Sequence, residues 1–243
     1  MKLKIKHPEE FKTSTQALAN ELVQANVYFT LRKDLIGEIR EYEAEMNLSA
    51  TFWALVLDSL LDTTLISLCR IYDSHNRSNS LLNLLDTVKE NVKFCTKKAE
   101  VSPDDGSTDN KDEDKSDLFQ DEYLVGPDVS LLTKKLDRVP DLEQLDRDIE
   151  SVSRDNPLIK NLYIWRNTFL AHKDSHNIIN KRDISEDYSL TLDDISNLLE
   201  NGLIIINRYS ELFLDLTYHE EIIRRDDYQV ILHSLRRELD SDA

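Results

Sequence analysis

Residues 52–74 read FWALVLDSLLDTTLISLCRIYDS, and their spacing decides the fold. Trp53, Val56, Leu57, Leu60, Leu61, Thr64, Leu65, Leu68, Ile71 and Tyr72 recur in steps of three and four, which lines them up on one face of a 3.6-residue helix. Ser49 precedes the run, so the stretch predicts a central core helix. Asp58 and Asp62 break the apolar run at 52–68 well short of the roughly 20 residues that cross a bilayer, so no membrane span is expected.

The same period continues on both sides. Upstream, residues 8–46 carry Leu18, Leu22, Ala25, Tyr28, Phe29, Leu35 and Ile39 at helical spacing, which predicts one long helix or two with a break near Thr30. Downstream, Ser80 caps a helix running to about residue 98, with Leu81, Leu84, Leu85, Val88, Val92 and Phe94 facing inward. Composition changes abruptly at residue 100. The stretch EVSPDDGSTDNKDEDKSD has one large apolar residue among many acids, cannot offset its ordering entropy, and predicts a flexible, disordered acidic insert over 100–122. Another helix begins near Asp141 and must yield before Pro157, where Asp155 and Asn156 supply turn chemistry. Pro157 suits the first turn of the next helix, NPLIKNLYIWRNTFLAHKD. Thr191, with Asp193 and Asp194 in the first turn, opens a helix expected to bury Ile195, Leu198, Leu199, Gly202, Ile206, Tyr209, Leu212, Phe213 and Leu216. A last amphipathic helix spans about residues 222–239.

Composition agrees with an all-α reading. Four Gly and five Pro in 243 residues are too few for a sheet protein rich in tight turns, and an apolar share of 40% suffices for a core. The expected architecture is an up-and-down helical bundle with long helices. It forms one domain, 1–243, with the acidic insert inside it and the C-terminal helical segment, 219–243, appended. Cys69 and Cys95 are far apart and form no CxxC pair, and MKLKIKHPEE lacks the apolar run of a signal peptide, so a cytoplasmic location is expected. The net charge of −17 argues against a polybasic membrane or DNA binder. Roughly half of that excess sits in 100–122, so a nucleic-acid contact, if present, must be a small, locally basic site.

The chemistry-bearing heptapeptide is Arg166-Asn167-Thr168-Phe169-Leu170-Ala171-His172. It puts a permanently charged, bidentate phosphate ligand and a side chain that titrates near pH 6.5 close to the end of an apolar helix. Histidine can take the proton from a ribose 2′-OH or return one to the leaving 5′-oxygen, while guanidinium stabilises charge on five-coordinate phosphorus. Six residues along an α-helix mean about 120° of rotation and about 9 Å of rise, so Arg166 and His172 of one chain point to different faces. Two copies across a two-fold axis would complete a cleft, which makes a homodimer through the motif helix part of the expectation. Asn167 stands ready to orient either side chain or a phosphate oxygen.

With the long helix FWALVLDSLLDTTLISLCRIYDS before it, the string RNTFLAHKD resembles the signature of the HEPN superfamily of helical ribonucleases, most closely its AbiU-like branch, linked to abortive infection in bacteria. The resemblance covers about residues 10–216. It implies a four- or five-helix bundle, a dimer with motif helices at the interface, and metal-independent endoribonuclease activity in phage defence or toxicity. Arg166, Asn167 and His172 are then the catalytic positions, RNA is the substrate, and no cofactor or metal is required. An antitoxin or defence-system partner fits the same picture. HEPN toxins silenced by a nucleotidyltransferase antitoxin often carry Tyr two residues after the His; here Asp174 stands there, so that route of control is not expected.

Each residue also has a plainer reading. Arg and His are favoured near a helix C-terminus by the dipole alone. His176 lies four after His172, but no third ligand completes a metal site. Asp73 either orients Arg166 across the bundle or is a solvated helix end. Tyr163 and Trp165 either stack on bases or pack in the core. The pairs Arg224-Arg225 and Arg236-Arg237 are interleaved with acids, as on a solvated face. The alternative function is a non-catalytic HEPN-like module for dimerisation or for binding a partner or nucleotide.

Overall fold

Asn156, Thr191, Ser80 and Asp141 start four of the helices as their side-chain chemistry dictates, and these caps divide the chain. The computed structural model describes residues 8–90, 140–167, 190–219 and 225–241. The expected acidic insert at 100–122, Cys95 and His172 lie outside the described residues, which contain eight helices and no strand. They are α1 (Pro8–Glu38), α2 (Glu43–Asn47), α3 (Ala50–Ile71), α4 (Leu81–Glu90), α5 (Leu142–Ser151), α6 (Pro157–Trp165), α7 (Leu192–Leu214) and α8 (Tyr228–Ser241).

The all-α helical bundle is built on α1, α3 and α7, about 46, 33 and 34 Å long at 1.5 Å per residue. Helix α1 packs chiefly along α3 and then against α7, while α4 rests on α5 and α6 on α3. The main core joins Leu18, Leu22 and Phe29 of α1 to Leu65, Leu68 and Ile71 of α3, and to Leu198, Leu199 and Ile206 of α7. Leu68 is fully enclosed, and its truncation to Ala would cost about 2–5 kcal/mol. At Gly202 the helices approach closely: an added Cβ would stand 3.1 Å from Leu22 Cδ1 and 3.4 Å from the Tyr72 hydroxyl. That hydroxyl donates to the Leu198 carbonyl at 2.6 Å and ties the end of α3 to α7.

Side-chain caps mark four of the eight helix starts among the described residues, whereas Ser49 before α3 makes no such bond. Ser80 Oγ accepts the Asn83 N–H, Asp141 accepts from Glu143 and Gln144, and Thr191 with Asp194 closes a reciprocal capping box. One alternative closes and three expectations change. Helix α1 runs through Thr30 as a single helix, the first of the two readings, with Phe29 and Leu35 buried on either side. It ends instead at Glu38, past Gly37, and Ile39 is 40% exposed rather than internal. The last helix starts at Tyr228, not near 222, because Asp226 and Asp227 turn the chain with their carbonyls accepting from Gln229 and Val230. Leu212, Phe213 and Leu216 are half-buried, while Leu203 and Ile205, unanticipated, are buried.

Helix α3 is, among the described residues, the one helix long and apolar enough to cross a membrane by length and composition. Its second half is instead buried inside protein through Thr64, Leu65, Leu68 and Ile71, with Asp58 and Asp62 on its exposed side.

A second, smaller core consists of Leu35, Tyr42, Met46, Trp53 and Leu232. It seats α8, and charges secure it. Arg236 lies 4.0 Å above the Tyr42 ring, donates to Glu45 Oε1 and to the Glu41 carbonyl, and pairs with the Glu41 carboxylate at 3.5 Å. The hydrogen bond from Arg236 holds the Glu45 carboxyl below its ordinary pKa range. Arg225 forms a two-bond fork with Asp34 at 2.6 Å, and His233 Nδ1 lies 3.3 Å from the Tyr42 hydroxyl.

Candidate functional site

The site forms where the turn between α5 and α6 meets the end of α3. Asn156 accepts the Leu158 N–H at 2.9 Å and donates to the Ser151 carbonyl at 2.9 Å, and Pro157 occupies the first turn of α6. This fixes the entry of α6, whose Ile159 and Leu162 are buried against the main core. Tyr163, one residue on, is 8% exposed and faces the end of α3. Its hydroxyl donates to Asp73 Oδ1 at 3.0 Å, lies 3.1 Å from the Tyr72 carbonyl, and accepts the Ser74 N–H at 2.6 Å.

Two guanidinium groups approach the anchored ring. Arg166 lies 4.9 Å and Arg154 4.4 Å from the Tyr163 centroid, within the range of a cation–π contact. Neither forms an ion pair with a carboxylate among the described residues. Arg166 is half-buried and donates through Nε to Asn167 Oδ1 at 3.2 Å. Both its terminal nitrogens remain unbonded among the described residues. Backbone winding widens from α to π at Arg166 and Asn167. His172, Asp174 and His176 lie outside the described residues.

The structure therefore brings Arg166 and Asn167 together and resolves two either-or readings. Asp73 makes no bond to Arg166; it reaches the arginine through Tyr163 and is not a simple solvated end. Tyr163 and Trp165 both belong to or pack on the main core, and Tyr163 also serves as the arginine platform. Sequence reasoning missed Arg154. Its proximity to Pro157 and its spacing of nine from Tyr163 match no local rule. The turn that brings it back was signalled only by Asn156-Pro157.

Cys69 lies beside the site, with Sγ 3.8 Å from the Leu162 carbonyl. Burial pushes its thiol up to about 12 against the opposing pull of Arg166, so it is not a nucleophile near neutral pH. Among the described residues no group of three His, Cys, Asp or Glu could hold a metal ion. A separate groove of about 630 Å³ between α1 and α7, lined by Asn26, Glu200, Asn207 and Arg208 among others, contains no motif residue. Arg208 is instead committed to buried Asp148, which also accepts from Tyr209 and Gln144 at 2.8 Å.

Neither the comparison with curated proteins nor that with solved structures found a match. The family model described as AbiU2, of HEPN type, matches residues 8–240, reaching further at both ends than the 10–216 expected from the motif and the helix order. That span includes α1, every element of the arginine site and most of α8, and the chain therefore belongs to the HEPN AbiU2 family.

Proposed function

We propose that the protein is a metal-independent endoribonuclease that cuts single-stranded or loop RNA, in phage defence by abortive infection or as a toxin. The observation that carries this reading is Arg166: a half-buried guanidinium held on Tyr163 and by Asn167, with both Nη groups unbonded and no carboxylate on it among the described residues. Such a group is oriented for a phosphate before the phosphate arrives, which is how charge stabilisation avoids reorganisation in the transition state.

In the proposed reaction the ribose 2′-oxygen attacks phosphorus and the bond to the 5′-oxygen breaks. His172 removes the 2′-OH proton, and a histidine supplies a proton to the departing 5′-oxygen. The products are a 2′,3′-cyclic phosphate and a 5′-hydroxyl. Arg166 binds the phosphate oxygens as negative charge grows on them, and Asn167 positions Arg166. The cleft is completed by a second copy of the chain through the motif helix, which supplies the second Arg–His set.

Incubation of purified protein with a mixed RNA pool in EDTA tests the reading. Wild type is expected to cut and to leave cyclic phosphate ends. Arg166→Ala and His172→Ala are each expected to lose at least about 100-fold in rate. Cleavage that survives both substitutions contradicts the assignment. A wild type that is inactive but dimeric favours the non-catalytic module.

A further inference from the structure

We propose that Arg154 is a second phosphate ligand, which binds the phosphate next to the one held by Arg166, with Tyr163 as the shared platform that spaces the two. This rests on the ribonuclease reading of Arg166 and extends it to a residue outside the motif.

Three observations carry it. Distances of 4.4 and 4.9 Å from one ring centroid put the two guanidinium carbons no more than about 9 Å apart, close enough for one strand to meet both. Arg154 is exposed, and no carboxylate among the described residues pairs with it; Asp155, next in the chain, is exposed without reaching it. The platform is rigid, since the Tyr163 ring is buried and its hydroxyl is tied to Asp73 and Ser74. Holding two like charges near one ring is unfavourable unless the ring and a bound anion compensate, and the quadrupole of tyrosine compensates only in part. A phosphodiester strand supplies the rest. In a chain of net charge −17, paired arginines also supply the local positive charge that RNA requires.

The test uses the full chain and two single-stranded RNA oligonucleotides of one sequence. One is 2′-O-methylated so that it binds without being cut, and the other is cleavable. Affinity is measured against salt for wild type, Arg154→Ala, Arg154→Lys and the control Arg147→Ala, whose guanidinium bonds Gln144 away from the site. Arg154→Ala is expected to bind about 10-fold more weakly and to flatten the slope of log affinity against log salt by about 0.7, the loss of one single-strand phosphate contact. On the cleavable strand its KM rises by a similar factor with kcat little changed. Arg154→Lys recovers most of the slope, and Arg147→Ala matches wild type. An Arg154→Ala protein with wild-type affinity and slope overturns the inference and leaves the ribonuclease reading intact if cleavage persists. Binding with the expected slope change but no cleavage by wild type sustains the phosphate site while the ribonuclease reading falls. A wild type that does not bind the methylated strand overturns the inference.

Discussion

Two tyrosines in different cores each carry arginine over the ring, and what surrounds the arginine separates them. At Tyr42 the guanidinium of Arg236 is neutralised by Glu45 and Glu41 and welds α8 to α2. At Tyr163 two guanidinium groups meet one ring, and no described carboxylate neutralises either. The first arrangement is complete in itself and reads as structure. The second has positive charge left over on a strongly acidic chain, and it reads as a place where an anion belongs. Arg208 on Asp148 is a third case and sides with Tyr42, since its carboxylate is buried and fully bonded.

The two tyrosine sites should differ most sharply at Arg166. Its replacement by Ala is expected to lower RNA cleavage at least about 100-fold while the thermal midpoint shifts by no more than a degree or two, measured by initial rates and calorimetry. Next is Asp148→Ala, which strands Arg208, Tyr209 and Gln144; it is expected to cost about 3 kcal/mol in denaturant unfolding. Smaller still is Tyr163→Phe, which keeps the ring but takes the acceptor from the Ser74 N–H and leaves Asp73 only the His75 N–H, a loss of about 1–2 kcal/mol. Its cleavage rate should fall less than that of Tyr163→Leu, which removes the platform. The smallest effect concerns pH. Glu45 has a folded-state pKa below the ordinary 4.5, so its contribution is full above pH 4.5 and is lost as pH falls through the lowered value. In a Trp165→Phe protein, Trp53 fluorescence should therefore report loosening of α8 only on acidification below pH 4.5. A change beginning above that pH would place the controlling group elsewhere.

Helix identity was legible because burial and period coincide: the face read from Trp53 to Tyr72 is the face that packs. The caps Ser80 and Thr191 were legible for a local reason, since each bonds to backbone within three residues, whereas Asn156, read only as turn chemistry, also caps α6. What escaped is what distance in sequence conceals. Whether one helix or two passes Thr30 stayed open because weak helix propensity is visible, whereas the tertiary packing that decides it is not. Arg154 carries no pattern of its own and gains meaning only when the turn at Asn156 returns it to Tyr163. The π-turn at Arg166 is likewise absent from any residue spacing. Asp73 looked like a solvated helix end, yet its bond to a tyrosine 90 residues away makes it part of the site.

The most direct measurement compares wild type, Arg166→Ala and Arg236→Ala in one experiment that records RNA cleavage in EDTA beside thermal unfolding. A crossed result is expected: Arg166→Ala loses cleavage and keeps its midpoint, whereas Arg236→Ala keeps cleavage at permissive temperature and melts earlier. Equal loss of cleavage in both variants, or an Arg166→Ala protein that cuts RNA like wild type, would contradict it.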